Sequence, residues 1–167
     1  MNRRNIFSLS VMVGFGLALL PETAVGQSLK DQLVGTWMLE AGYNILPDGK
    51  RLEANGPSPK GVIVFDPGGR FAQQIIDSTL PKFASNNRQQ GTPDEFKRVA
   101  QGVIAYFGTY AVDDNQNITM RVEYSSYANM NGTAGKREVK ITGDEMQTVN
   151  RTAPSGGVAY LIWRRAK

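Results

Sequence analysis

Between residues 33 and 45 the chain alternates. Gly35, Trp37, Leu39, Ala41, Tyr43 and Ile45 fall on one face, and Thr36, Met38, Glu40, Gly42 and Asn44 on the other. Period two over that length predicts a strand with one buried and one mostly polar face. Pro47-Asp48-Gly49 then supplies turn chemistry, and a short second strand is expected over 51–54. Two alternating runs, 61–65 and 70–76, flank Asp66-Pro67-Gly68-Gly69 and predict a hairpin. Its glycine pair is read as turn rather than phosphate cradle, because a strand follows and no helix amides face the loop.

Residues 78–91 are polar and irregular, a loop expected near one end of the sheet. A helix is predicted to start abruptly after them. Thr92 is the N-cap, Pro93 occupies the first helical position, and Glu95 completes a capping box. Phe96, Val99, Ala100, Val103 and Ile104 follow at helical spacing as one apolar stripe, expected to pack on the strands or plug their open end. Strands over 107–112 and 118–124 form the next hairpin. The intervening Asp113-x-Asn115-x-Asn117 begins like a calcium loop, but Ile118 and Tyr124 stand where glycine and glutamate are needed. Strands over 136–142, 145–152 and 158–165 complete the count. The pattern is all-β: an antiparallel up-and-down β-barrel of eight or nine strands with one short amphipathic helix, whose closure removes exposed edges.

Composition changes the picture in three places. Arg3 and Arg4 precede an apolar run over 6–20, and Ala24-Val25-Gly26 offers a cleavage site before Gln27. The run is short and broken by Gly14 and Gly16, so residues 1–26 read as a signal peptide and not a membrane span. Asn2-Arg3-Arg4-Asn5-Ile6-Phe7 also resembles a twin-arginine motif. By either route the protein is expected to be exported, periplasmic or secreted, with residues 27–167 forming one domain. Cysteine is absent, which excludes disulfides, thiol chemistry and a lipidated cysteine. The formal net charge of +4 is mild, and Arg98, Arg121, Arg137 and Arg151 are dispersed, unlike a nucleic-acid surface.

Histidine is absent as well, so no Ser-His-Asp or Cys-His arrangement and no histidine-based metal site can be built. No cofactor is implied. Strand parity offers interior polar candidates instead. Arg137 shares a face with Val139 and Ile141, Tyr124 with Ile118, Met120 and Val122, and Gln73 and Asp77 with Phe71 and Ile75. An arginine aimed into an apolar barrel must be paired or meet an anion. Either Arg137 grips a carboxylate or enolate of a ligand, or it reaches Asp77 or the rim. Tyr43, Tyr110 and Tyr160 are candidates for core or cavity wall.

The order Leu33-Val34-Gly35-Thr36-Trp37, the 61–66 strand with its Pro-Gly-Gly turn, the segment from Phe96 through Asp113, the 139–143 hairpin and the terminal Trp163-x-Arg165 resemble the bacterial lipocalin-like domain family, a calycin-type barrel. The resemblance implies an apolar interior able to hold a small molecule. It also implies that Gly35, Trp37 and Arg165 close the barrel, the arginine lying over the indole. Members often carry histidines in the middle of the sixth strand; this chain has Met120-Arg121 there, so an activity needing that imidazole has no counterpart.

The leading expectation is a binding protein for a small hydrophobic or amphipathic molecule, contacted by Tyr43, Phe71, Gln73, Tyr110, Met120, Tyr124, Arg137 and Tyr160. One alternative is a cofactor-free isomerase or cyclase using Arg137 as anchor and Tyr124 or Asp77 as acid/base. The other is a barrel filled by its own side chains.

Overall fold

The computed structural model describes residues 28–167; the signal segment expected over 1–26 lies outside them. A short helix α1 (Leu29–Leu33) leads into strand β1 (Gly35–Ile45). It is capped by Ser28, whose hydroxyl accepts from the Asp31 amide. Strands β2 (Arg51–Leu52), β3 (Pro59–Phe65) and β4 (Arg70–Asp77) follow, then helix α2 (Pro93–Gly102). Strands β5 (Val103–Val112), β6 (Asn117–Ser125), β7 (Ala134–Thr142), β8 (Glu145–Asn150) and β9 (Val158–Arg165) complete the chain, with a 3₁₀ turn at Ala128–Met130 between β6 and β7.

Every pairing is antiparallel: β1 pairs with β3 past the short β2, each later strand pairs with the next, and β1 also pairs with β9. The wall is therefore a closed barrel of eight strands. The second strand is shorter than expected and stands outside the ring, pairing only with Asn44 and Ile45.

The predicted capping box is present, with the Thr92 hydroxyl accepting from the Glu95 amide and the Glu95 carboxylate from the Thr92 amide. The helix ends earlier than the apolar stripe suggested. Val103 and Ile104 belong to β5, which begins without a loop: Gly102 is buried, and Val103 is already extended at φ −128°. Helix α1 was not anticipated. Its Leu29 and Leu33 are buried and stopper one end of the barrel.

That end is tightly packed. Trp37 is fully buried, its indole N–H donating to the Leu33 carbonyl at 2.8 Å. The Arg165 guanidinium lies 4.1 Å from the Trp37 ring centre and donates to the carbonyls of Val34 at 3.0 Å and Gln32 at 2.6 Å. A Cβ on Gly35, whose φ is +124°, would press on Arg165 Nη1 at 3.2 Å. The three residues thus fasten α1 across the base, with a cation–π contact worth ~0.5–2 kcal/mol among the forces.

Two β-bulges shift strand parity. Between β1 and β9, Leu39 faces Trp163 and Ala41 faces Ile162, so Glu40 is the extra residue. Between β5 and β6, Phe107 faces Tyr124 and Gly108 faces Val122, so Glu123 is extra. Each bulged glutamate is held on the outer surface by an arginine fork, Arg164 on Glu40 at 2.9 and 3.1 Å and Arg70 on Glu123 at 2.8 and 3.2 Å. Being exposed, such pairs add little stability, but they orient the bulges.

Candidate functional site

Above the packed base the barrel is hollow. A cavity of about 310 Å³ lies along its axis. The reading of a barrel filled by its own side chains is thereby set aside. The apolar wall comes from Ile63 and Phe65 of β3, Ile75 of β4, Ile104 of β5, Ile118 and Met120 of β6, and Leu161 of β9. Each points inward because it alternates with a solvent-facing neighbour. The mouth is framed by Ala54 and Asn55, by Ala100 and Gln101 at the end of α2, by Tyr127 and Met130, and by 153–155.

Below these mouth residues, six polar side chains line the wall, and three of them are tied to the surrounding structure. Asn44 donates to Ser155 Oγ at 2.8 Å and to the Gly156 carbonyl at 2.7 Å, tying down the β8–β9 loop. Thr148 accepts from the Trp163 indole at 3.2 Å. Asn150 accepts from the Thr152 amide at 3.1 Å. The other three, Gln73, Tyr106 and Arg137, form a group of their own. Gln73 and Tyr106 are register partners on β4 and β5, so both project inward side by side. Arg137 enters from β7 opposite Ile118. Burial pushes the Tyr106 phenol above its usual range, and the Arg137 charge with donors of Arg137 and Gln73 pulls the other way.

Of the residues expected to contact a ligand, Gln73, Met120 and Arg137 line this cavity. Phe71 and Tyr110 point inward but lie in the packed base. Phe71 meets Tyr106 edge-on at 5.8 Å, and Tyr110 meets Phe65 at 5.0 Å while donating to the Asp66 carbonyl at 2.9 Å. The inward placement of three tyrosines is corrected. The Glu40 bulge turns Asn44 in and Tyr43 out; Tyr160, its register partner, faces out because Trp163, Leu161 and Ala159 face in. Tyr43 and Tyr160 stack on each other at 5.3 Å, with Arg51 over the Tyr43 ring. The Glu123 bulge turns Tyr124 outward beside Phe107, where it is 66% exposed.

The acid/base constellation of the isomerase reading is therefore not assembled. Tyr124 is on the wrong side of the wall. Asp77 is buried, but at the rim it accepts from the Thr79 amide and hydroxyl at 2.8 and 2.7 Å and from Arg98 at 3.1 Å. The Thr79 bonds and the Arg98 charge hold its carboxyl below the usual carboxylate range. It is a strut joining β4, the following loop and α2. No group of three or more acidic side chains among the described residues is placed to hold a metal ion.

The model of the lipocalin-like domain family matches residues 34–166, the span that forms the closed eight-stranded barrel with its arginine-over-tryptophan closure and hollow upper half. The chain belongs to the lipocalin-like domain family. A curated relative, the 4'-hydroxy-3'-methoxypropiophenone carrier protein of Aspergillus oryzae, is 33% identical over 106 residues, covering 57% of this chain and 96% of that one. Among solved structures, a lipocalin-like protein from Bacteroides uniformis aligns at TM-score 0.42 and 14% identity over 80% of this chain and 98% of its own. As-p18, an extracellular fatty acid binding protein, aligns at 0.39 and 12% over 84% and 100%.

Within this lipocalin-like barrel, sequence reasoning missed Asn44, Tyr106, Thr148 and Asn150 as cavity residues. Thr148 and Asn150 were findable, since they share parity with the buried Met146. Tyr106 was hidden by running the helical stripe past Gly102, and Asn44 by the bulge.

Proposed function

We propose that the protein is a binding barrel that holds one small, mostly apolar molecule with a polar end in its central cavity. The observation that carries this reading is the hollow itself: about 310 Å³ of unfilled space, walled by aliphatic side chains and supplied with a few polar groups at fixed positions. Such a composition is what a ligand pocket needs, and the volume is at the small end of the ~300–1,000 Å³ range for such sites. The match to a relative named as a carrier of 4'-hydroxy-3'-methoxypropiophenone, a compact aryl ketone, supports a ligand of that size class.

We further propose that residues 1–26 direct export and are removed before Gln27, so that binding takes place in the periplasm or outside the cell. Amino-terminal sequencing of protein recovered from the periplasm and medium tests this; an uncleaved cytoplasmic chain would contradict it. Native mass spectrometry of protein from its own host tests the binding reading. A bound mass of a few hundred daltons at most is expected, released on denaturation. Bare chain alone, together with no heat in calorimetric titrations with small aryl ketones and short fatty acids, would count against it.

A further inference from the structure

Among the described residues that line the cavity, Arg137 is the one charged side chain, and none is a carboxylate. No ion pair forms between its guanidinium and any described acidic group; its Nη1 donates to the neighbouring Lys136 carbonyl at 2.9 Å. A guanidinium presents five N–H donors, and beyond the Lys136 carbonyl and the Tyr106 hydroxyl this fork has donors to spare for a ligand. Its seat is shaped for it. Gly135, two residues earlier on the same face, has no side chain, and a Cβ there would stand 2.8 Å from Arg137 Nη1. Glycine in mid-strand weakens the strand and is expected where something must approach closely. Beside the fork stand two more polar groups that face the hollow, the Gln73 amide and the Tyr106 hydroxyl, with Arg137 and Gln73 both directing donors to that hydroxyl.

We infer that the ligand bears a single anionic oxygen function, an apolar carboxylate or an ionised acidic phenol or enol, seated on Arg137 between Gln73 and Tyr106. This rests on the binding reading above and narrows it. The charge count sets the stoichiometry. One cation in an otherwise neutral, largely apolar hollow matches one negative charge; a second would be buried without a partner. Arg137 supplies charge-assisted hydrogen bonds, Gln73 an amide donor and Tyr106 a hydroxyl donor. The aliphatic wall around Ile63 and Ile75 takes the ligand's body.

The test is calorimetric titration of the mature protein with matched acid and amide pairs: 3-phenylpropanoate with 3-phenylpropanamide, and octanoate with octanamide. The acid of a pair is expected to bind at least about tenfold more tightly than its amide, the usual scale of a charged hydrogen bond. In Arg137→Met that preference disappears because the acid loses more affinity than its amide does, and Arg137→Lys restores part of it, since Lys keeps the charge but not the fork. Melting curves of both variants establish that they fold. A spectroscopic arm separates the two sources of the anion. 4-Nitrophenol, whose ionised form absorbs in the visible, should show a lowered apparent pKa on binding to the wild type and none with Arg137→Met. Binding of carboxylates alone assigns the site to acids; a shift of nitrophenol alone assigns it to phenols and enols. Equal affinity for acid and amide in the wild type, or an acid preference that survives Arg137→Met, overturns the inference while leaving a binding barrel. Failure of every probe, neutral ones included, overturns both.

Discussion

The barrel contains two tryptophans, both fully buried, and they allow the base clamp to be weighed against an internal control. Trp37→Phe and Trp163→Phe each remove the same indole atoms from a packed site, so the transfer and cavity costs are similar. What differs is the partner left behind. Trp37 donates at 2.8 Å to the Leu33 carbonyl, a main-chain group at the end of α1 that cannot turn away. Trp163 donates at 3.2 Å to the Thr148 hydroxyl, which borders the cavity and can rotate toward a water there. A stranded buried acceptor costs ~1–3 kcal/mol, whereas a rewetted one costs little. Trp37→Phe also weakens the stack under Arg165, which prefers an indole to a phenyl face. The expected excess for Trp37→Phe over Trp163→Phe is about 1–2 kcal/mol, which for a domain of this size is roughly 3–8 °C in melting temperature. Thermal and urea unfolding followed by far-ultraviolet circular dichroism measure it, since each variant loses a fluorophore. An unchanged urea m-value keeps the comparison within one unfolding reaction. If the two variants melt together, or Trp163→Phe melts lower, the clamp is not what holds the base.

Three further outcomes follow from the geometry. Gly135→Ala should displace the Arg137 guanidinium and weaken binding of an acidic probe about tenfold or more, with melting temperature within a few degrees of wild type, because only a flexible side-chain end must move. Gly108→Ala should be severely destabilising, by about 3 kcal/mol or more in urea unfolding, because the new methyl would overlap the Arg121 carbonyl oxygen of the facing strand. Acid should loosen the mouth. Asp77 has its pKa below the unfolded value when folded, so its contribution is complete above that value, near 4, and is lost as pH falls through the folded pKa. Stability profiles should therefore drop more steeply below about pH 4 in the wild type than in Asp77→Asn, which is less stable at neutral pH and flatter in acid; parallel profiles would refute this role.

The parts of the barrel legible in the sequence were those fixed by local chemistry. The 61–76 and 107–124 hairpins, the Thr92 capping box and the Trp37–Arg165 closure all depend on residues a few positions apart or on a shared pattern, and they stand where expected. The candidate site was legible only in part, and for one physical reason. Which face a strand residue occupies depends on counting from a buried neighbour, and a bulge changes the count without changing the composition. Glu40 and Glu123 look like any outward glutamate, yet they decide that Asn44 lines the cavity and that Tyr43 and Tyr124 do not. Gln73, Met120 and Arg137 lie in uninterrupted stretches of strand, and parity placed them inside.

The bulges have a consequence for how such a pocket can be altered. Each works like a reading-frame change along the pleat, with one frame at the base and the other toward the mouth. Deleting Glu40 would remove the bulge but not the lining it sets: Ala41 would follow Leu39 on the outer face, Gly42 and Asn44 would stay inside against Leu161 and Ala159, and Tyr43 would stay outside against Tyr160. The Asn44 tether of the β8–β9 loop would be kept. The bulge is thus a place where strand length can change by one residue while the lining of the upper barrel, and with it ligand preference, is preserved.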